Sequence, residues 1–420
     1  MSEFSDETPV DVTTTGCVVV GGGPAGVFLS LLLARAGVTV TLLEAHLDFD
    51  RDFRGDTIHP STLEALDSLG LADKLHALPH GKLRIMRIRT PAGEHTMADF
   101  AQVRTRFPYI MILPQVKFLN FLAAEAGRHP TFRLVFGANV QRIVEEEGKV
   151  VGVRYRDGEN RWHEVRAALT VAADGRHSKL RSLVGFTPKR SAPPMDMIWT
   201  RIPKQLGDPD DEGAIRIGAG YFVVIFDRGN DWVIGYAYLK GEFKAIRQAG
   251  IAEFVRHLGE AIPAWKDRFT QHVTNWNQCP VLNVESSRLD VWHKPGLLFI
   301  GDAAHVMSPV GGVGINYAIQ DAIETANQLA DKLRSSQSVT DSDLTAIQKA
   351  REWPVIVIQA VQRSIQEQIV RAGLAQGANF RLPLVARILT ATPGLKWILP
   401  RVIGWGVRPS HISPVLALCQ

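Results

Sequence analysis

Val18-Val19-Val20-Gly21-Gly22-Gly23-Pro24-Ala25-Gly26 is a β-branched run that ends in Gly21-x-Gly23-x-x-Gly26 and opens a long apolar segment. A strand that breaks at such a turn and continues as a helix supplies what a pyrophosphate needs: a tight turn, backbone room for phosphates and a positive helix end. Leu29, Leu32, Leu33 and Ala36 recur at helical spacing, Gly37 stops the helix, and residues 38–43 make a second strand. Glu44 follows, 23 residues past Gly21. An acidic side chain in that place hydrogen-bonds the ribose of an adenosine half, so strand, turn, helix, strand and acid agree on a dinucleotide-binding βαβ unit.

Outward from this unit, 420 residues are too many for one small core and imply two or three domains, or one with a large insertion. Hydrophobic residues at 45% and charged ones at 21% fit an ordinary globular chain. A net charge of +4 with no basic run gives no case for nucleic acid. Cys17, Cys279 and Cys419 show no CxxC and no metal-ligand spacing, which points to reduced thiols in a cytoplasmic protein and to no metal. Residues 1–15 read as a frayed polar tail. The apolar stretch 16–43 holds six glycines and Pro24 and switches from strand to helix period, so a buried βαβ unit accounts for it and a membrane span does not.

Beyond Glu44, Arg54 lies in a loop, where an arginine is either a solvated charge or a fork for phosphate. Ser61 with Glu64 resembles a capping box and predicts a helix from Thr62 to about Leu69. Strands are expected at 83–90 and 94–100, and a helix from Pro114-Gln115 with Phe118, Leu119, Leu122 and Ala123 on one face. Further strands are expected at 132–136, 139–145, 150–156 and 161–166, then a buried one at 169–173 running into Asp174-Gly175, with Ser178 and Arg181 opening a short helix. Residues 191–285 have no glycine-rich loop, and strands dominate at 195–202, 214–218, 220–226 and 231–239, with one helix over 242–258. Tyr236 and Tyr238 share a face, which either lines a ligand cavity or packs on that helix; the helix is the favoured partner.

A second informative stretch runs from Gly296 through Gly301-Asp302-Ala303-Ala304-His305 to Ser308-Pro309-Val310-Gly311-Gly312-Val313-Gly314-Ile315-Asn316. An aspartate at a strand end suits a polyol hydroxyl, and a glycine-rich loop entering a helix at about Ile315 aims N–H groups at an electron-rich partner. With the first motif, this favours a flavin over a nicotinamide. His305, in an Ala-Ala-His turn, is expected to make a structural hydrogen bond. Beyond Glu352 the chain is helical and apolar, punctuated by Pro354, Pro383, Pro393, Pro400 and Pro409. It reads as a cap on the other domains, with a weak peripheral membrane contact through Leu395, Trp397, Ile398, Leu399, Ile403 and Trp405 as the lesser alternative.

Three separated motifs now agree, and the chain resembles the group A FAD-dependent aromatic hydroxylases, the para-hydroxybenzoate hydroxylase-like flavoprotein monooxygenases. They are Gly21-x-Gly23-x-x-Gly26 with Glu44, Asp174-Gly175-x-x-Ser178-x-x-Arg181, and Gly301-Asp302 through Pro309 to Asn316. The resemblance implies an α/β fold: an FAD-binding Rossmann-like (glutathione reductase-type) domain over 1–85, 105–190 and 286–350, an inserted β-sheet substrate domain over 86–104 and 191–285, and a C-terminal helical cap over 351–420. It implies that Glu44 binds the adenosine ribose, Arg54 and Gln115 contact the pyrophosphate or ribityl region, and Asp302 holds a ribityl hydroxyl. It also implies that Asp174 serves FAD and NAD(P)H, and that the N–H groups around Gly314, Ile315 and Asn316, in a flavin-facing loop that begins at Pro309, face the pyrimidine edge of the flavin. The implied activity is hydroxylation of an aromatic or polycyclic substrate with NAD(P)H and molecular oxygen through a flavin C4a-hydroperoxide. A reductase or dehydrogenase acting on a prenyl or polyketide substrate is the rival on the same scaffold. No side-chain nucleophile is required, because the cofactor carries the hard chemistry.

Overall fold

The computed structural model describes residues 8–50, 55–91, 93–191, 193–210, 212–218, 220–369, 392 and 394–418. Arg54, Pro383, Pro393 and Cys419 lie outside the described residues. The helices used below are α1 (Pro24–Arg35), α2 (Pro60–Ser68), α3 (Gln115–Ala126), α4 (Lys179–Leu183), α5 (Phe243–Ala249), α6 (Ile251–Ala261), α7 (Gly314–Arg334), α8 (Asp341–Ile369) and α9 (Ile398–Trp405).

The opening motif builds the centre of the first sheet. Asp11–Val20 pairs in parallel with Val40–Glu44 on one side and Trp162–Ala172 on the other, with Val20 opposite Leu43 and Ala172. Parallel strands at Phe132–Phe136 and Leu297–Phe299 extend it at either side. Both faces are covered, which is why these strands read as continuous apolar runs. α1 is buried over most of its length and packs on α3 and α7. The 11–15 segment is strand, not a frayed tail, because it pairs with residues 163–167. Likewise 161–166 and 169–173 form one strand: its first half pairs with an antiparallel hairpin arm, Lys149–Arg156, and its second half with Leu297–Phe299. The change of partner changes the burial pattern and makes one strand look like two.

The second sheet runs in the order Val281–Leu282, Met195–Pro203, Asp231–Leu239, Tyr221–Asp227, Glu212–Gly218, Ile85–Thr90, Gly93–Asp99. Its period-2 alternation sorts side chains cleanly. Ile198, Ile202, Val223, Ile225, Ile234, Tyr236 and Tyr238 pack with α6. Tyr236 meets Phe254 edge to face at 5.6 Å, so the tyrosine face belongs to the helix. Met197, Trp199, Phe222 and Val233 form the opposite face. The single helix expected over 242–258 is broken into α5 and α6 by Gly250, whose φ of +95° suits glycine.

The capping box at Ser61 does not form. Pro60 occupies the first helical turn, the helix starts two residues earlier with His59 at its cap, and no side chain caps it. Glu64 instead accepts from Thr105 Oγ1 at 2.8 Å and from Trp405 Nε1 at 2.7 Å. At the C-terminal end, α8 is 29 residues long, contains Pro354 and runs straight through residue 351, where the cap is expected to begin. α9 packs on α2 and on the Gly93–Asp99 strand. Trp405 is buried and Trp397 is exposed. No helix among the described residues is long and apolar enough to cross a membrane.

Candidate active site

The three glycines of the first motif do three different jobs. Gly21 has φ +107°, and a Cβ there would lie 2.3 Å from Ala173 O on the neighbouring strand. A Cβ on Gly26 would lie 2.0 Å from Gly21 O, so this glycine lets α1 pack onto its own turn. Gly23 alone has nothing within 4 Å, and it lines the large cavity described below. Glu44 closes the turn: its Oε2 accepts from Gly22 N–H at 2.8 Å and its Oε1 from His46 N–H at 2.9 Å.

Asp302 is held in place from two sides. Arg181 donates from Nη1 to Ala303 O at 2.9 Å and from Nη2 to Arg176 O at 2.6 Å. Ser178 caps the helix carrying Arg181 by accepting from its N–H at 3.0 Å. Asp174, one turn earlier, accepts from Leu180 N–H at 3.0 Å, and burial pushes its carboxyl up. From the other side Gly301 N–H donates to Asp321 Oδ2 at 3.0 Å.

Asp321 is the centre of a buried network that the sequence reading missed. His305 Nε2 lies 2.6 Å from its Oδ2, and Arg351 Nε donates to its Oδ1 at 2.9 Å. All three side chains are essentially inaccessible to solvent. Burial alone would raise the Asp321 carboxyl, yet His305 and Arg351 outweigh it and hold it below the usual carboxylate range. His305 thus has the structural role expected of it. A carboxylate on the apolar face of α7, between Ala318, Ile319, Ala322 and Ile323, is the signal that could have found Asp321.

The loop expected to face the flavin, Pro309 to Asn316, and Ser308 just before it are tethered by residues distant in sequence. Gly311 and Gly312 have φ of +80° and +63°, and Thr57 Oγ1 donates to Gly312 O at 2.8 Å. From α8, Gln362 Nε2 donates to both Ser308 O and Val310 O at 2.8 Å, and Gln366 donates to Ser308 Oγ. Gln359 Nε2 donates to Ser287 O and Val306 O, each at 3.0 Å.

These parts enclose one cavity of about 650 Å³. Gly21, Gly23, Glu44, Gln115, Asp174, Asp302, Pro309, Gly314 and Ile315 line it. Gly26 and Asn316 do not. Asn316 turns away, its Oδ1 accepting from His59 N–H at 3.0 Å and from Thr62 Oγ1 at 2.8 Å, so it secures α2 to the start of α7. The opposite wall is apolar: Met195, Met197, Trp199, Ile217, Phe222 and Val233 from the second sheet, with Leu399 and Ile403 of α9 and Ile358 of α8. Gly235 makes this wall possible, since a Cβ there would meet the Trp199 ring at 2.7 Å. A smaller polar cavity of about 280 Å³ adjoins through Asp56, Gln115 and Trp199. Asp56 is pushed up to about 6 by burial, against the pull of Arg228, whose Nε is 3.2 Å away.

The cradle fits FAD. It combines an open glycine turn at a helix start, an acid placed for a ribose, a positioned aspartate at the Gly301 turn and a second helix start at Gly314, all on one elongated cavity.

Comparison with known proteins agrees. A family model described as an FAD binding domain matches residues 14–343. The chain is 29% identical over 398 residues to 6-methylpretetramide 4-monooxygenase of Streptomyces rimosus, covering 94% of this chain and 93% of that one. Protoasukamycin 4-monooxygenase of Streptomyces nodosus subsp. asukaensis is 25% identical over 354 residues, with 80% and 84% covered. In fold, the crystal structure of p-nitrophenol 4-monooxygenase from Pseudomonas putida DLL-E4 superposes with a TM-score of 0.73 at 20% identity, covering 94% of this chain and 97% of that one. Matched over most of its length by that family model, this chain belongs to the FAD-binding-domain family to which its cradle already pointed.

Proposed function

We propose that this FAD-dependent monooxygenase hydroxylates a polycyclic phenol, using NAD(P)H and molecular oxygen. One observation carries the reading: a single cavity joins the glycine cradle to a wall of apolar and aromatic side chains. Such a wall suits a flat ring system and disfavours a sugar or a polyanion. The relative named for 6-methylpretetramide, aligned almost end to end, supports the same reaction class.

Bound FAD supplies electron transfer and oxygen activation. The chain supplies binding, orientation and shelter. Gly23 and the start of α1 would receive the pyrophosphate, Glu44 the ribose and Asp302 a ribityl hydroxyl, with Gln115 and Asp174 lining the same cavity. The start of α7 at Gly314 and Ile315 offers N–H groups and a positive helix end to negative charge on the cofactor ring. Pro309 and its tethered loop line the cavity and would bound the space left for that ring. Asp174, which lines the cavity, would serve a visiting nicotinamide as well; a phosphate contact from Arg54 rests on the sequence alone. α8 and α9 close the wall against water.

The test is to load the protein with FAD, reduce it anaerobically with NAD(P)H, and mix it with oxygen and a panel of mono- and polycyclic phenols. Product heavier by one oxygen atom, labelled from ¹⁸O₂, is expected. Reoxidation that yields only hydrogen peroxide and a hydrogenated or dehydrogenated substrate would transfer the reading to the reductase class.

A further inference from the structure

We propose that Gln362 is a substrate-positioning residue whose Oε1 accepts a hydrogen bond from a hydroxyl of the aromatic substrate. The inference rests on the aromatic substrate proposed above and adds what holds it. A glutamine amide has two donor hydrogens and one carbonyl oxygen. In Gln362 both hydrogens are used, at 2.8 Å each, on Ser308 O and Val310 O. Turning the amide over would aim Oε1 at two carbonyls, so the orientation is fixed.

The residue is 2% exposed and lines the cavity; Oε1 itself is closed to solvent and has no hydrogen-bond partner among the described residues, so a donor reaches it once the cavity side chains beside it give way. A buried acceptor left unpaired is costly unless something arrives to pair with it. Two other glutamines on the same helix mark the contrast. Gln359 Oε1 accepts from Arg288 Nη1 at 3.0 Å, and Gln348 Oε1 from Trp292 N–H at 2.9 Å. The helical neighbours of Gln362 that line the cavity, Ile358, Val361 and Ile365, offer no polar atom. A donor on an otherwise apolar ring, as in a phenol, is the chemistry that completes this site. Because the same amide holds the 308–310 loop, the hydroxyl is read from the residue that also sets the loop facing the cofactor.

The test uses FAD-loaded protein without NAD(P)H. 1-Naphthol, 1-methoxynaphthalene and naphthalene are titrated while the flavin absorbance is followed. The naphthol is expected to bind about tenfold more tightly than its ether or the bare arene, as one buried hydrogen bond allows. Gln362→Met, with Gln362→Leu as the second variant, should bring the three affinities together. Gln366→Met, which removes another tether of the same loop, should keep the preference even if every affinity falls. The proposal is overturned if the wild type shows no preference for the naphthol, or if the FAD-loaded Gln362 variants keep that preference, whether or not all their affinities fall. Binding is read without turnover, so a failed hydroxylase assay leaves this result standing, and a failed preference leaves the hydroxylase reading standing.

Discussion

At the scale of single residues, the glycine triplet makes a graded prediction. Gly26→Ala pushes a methyl into the Gly21 carbonyl at 2.0 Å, a backbone atom that cannot step aside, and should destabilise the protein by about 1–3 kcal/mol. Gly23→Ala meets nothing, so the apoprotein should melt within a degree or two of wild type while its affinity for FAD drops about tenfold or more. Thermal unfolding of apoprotein and a flavin fluorescence titration check both halves. Asp56 gives a pH test. Its carboxyl holds its proton up to about 6, well above an ordinary aspartate, so the native state binds more protons than the unfolded chain between about pH 4 and 6. Its contribution is therefore most favourable below pH 4, lost as pH rises to 6, and flat above. Asp56→Asn does not titrate. Its stability relative to wild type should improve across that window by up to about 3 kcal/mol, as measured by urea unfolding at pH 4.5 and pH 7.

At the scale of elements, α8 gathers functions that sit far apart in sequence. Arg351 pins it to Asp321 and through Asp321 to the Gly301 turn, and its glutamines hold the 308–310 loop. Arg351→Met would strand the Asp321 carboxylate beside His305 in a dry interior. A loss of about 3–5 kcal/mol is expected in denaturant unfolding, with the double variant Arg351→Met, Asp321→Leu recovering part of it. Elements were legible in the sequence where a local backbone rule governs them. The Gly21 turn, the Gly37 stop and the strand before Asp174 all follow from φ, periodicity and glycine placement. What a distant partner decides was not legible. Residues 11–15 become strand only because 163–167 lie alongside them, and Ser61 forfeits its capping role because Pro60 starts the helix first. The ion network joins residues 305, 321 and 351, a pairing that no local spacing encodes. The Asn316 side chain, paired with His59 and Thr62 more than 250 residues away, was illegible for the same reason.

At the scale of the whole molecule, α9 closes one side of the cavity through Leu399 and Ile403. It is held by His59 Nδ1 against Ile403 O at 2.8 Å, by Gln320 donating to Trp405 O at 3.1 Å, and by the Trp405 indole on Glu64. Trp405→Ala should cost about 3–5 kcal/mol and loosen this side of the cavity. Water then enters, and the fraction of NAD(P)H that ends in hydroxylated product should fall relative to peroxide, a ratio read by oxygen electrode and product chromatography. The apolar side chains once candidates for a membrane contact include Leu399 and Ile403, which line the cavity, and Trp405, which is buried. The cradle comes from stretches around 20–44, 174 and 302–315, whereas the wall comes mainly from 83–112, 195–233, 358–365 and 399–403. These stretches scarcely overlap. Selection can therefore redraft what the enzyme accepts without disturbing how it is powered, and a chimera carrying foreign wall strands on this cradle would inherit a new appetite while keeping the old engine.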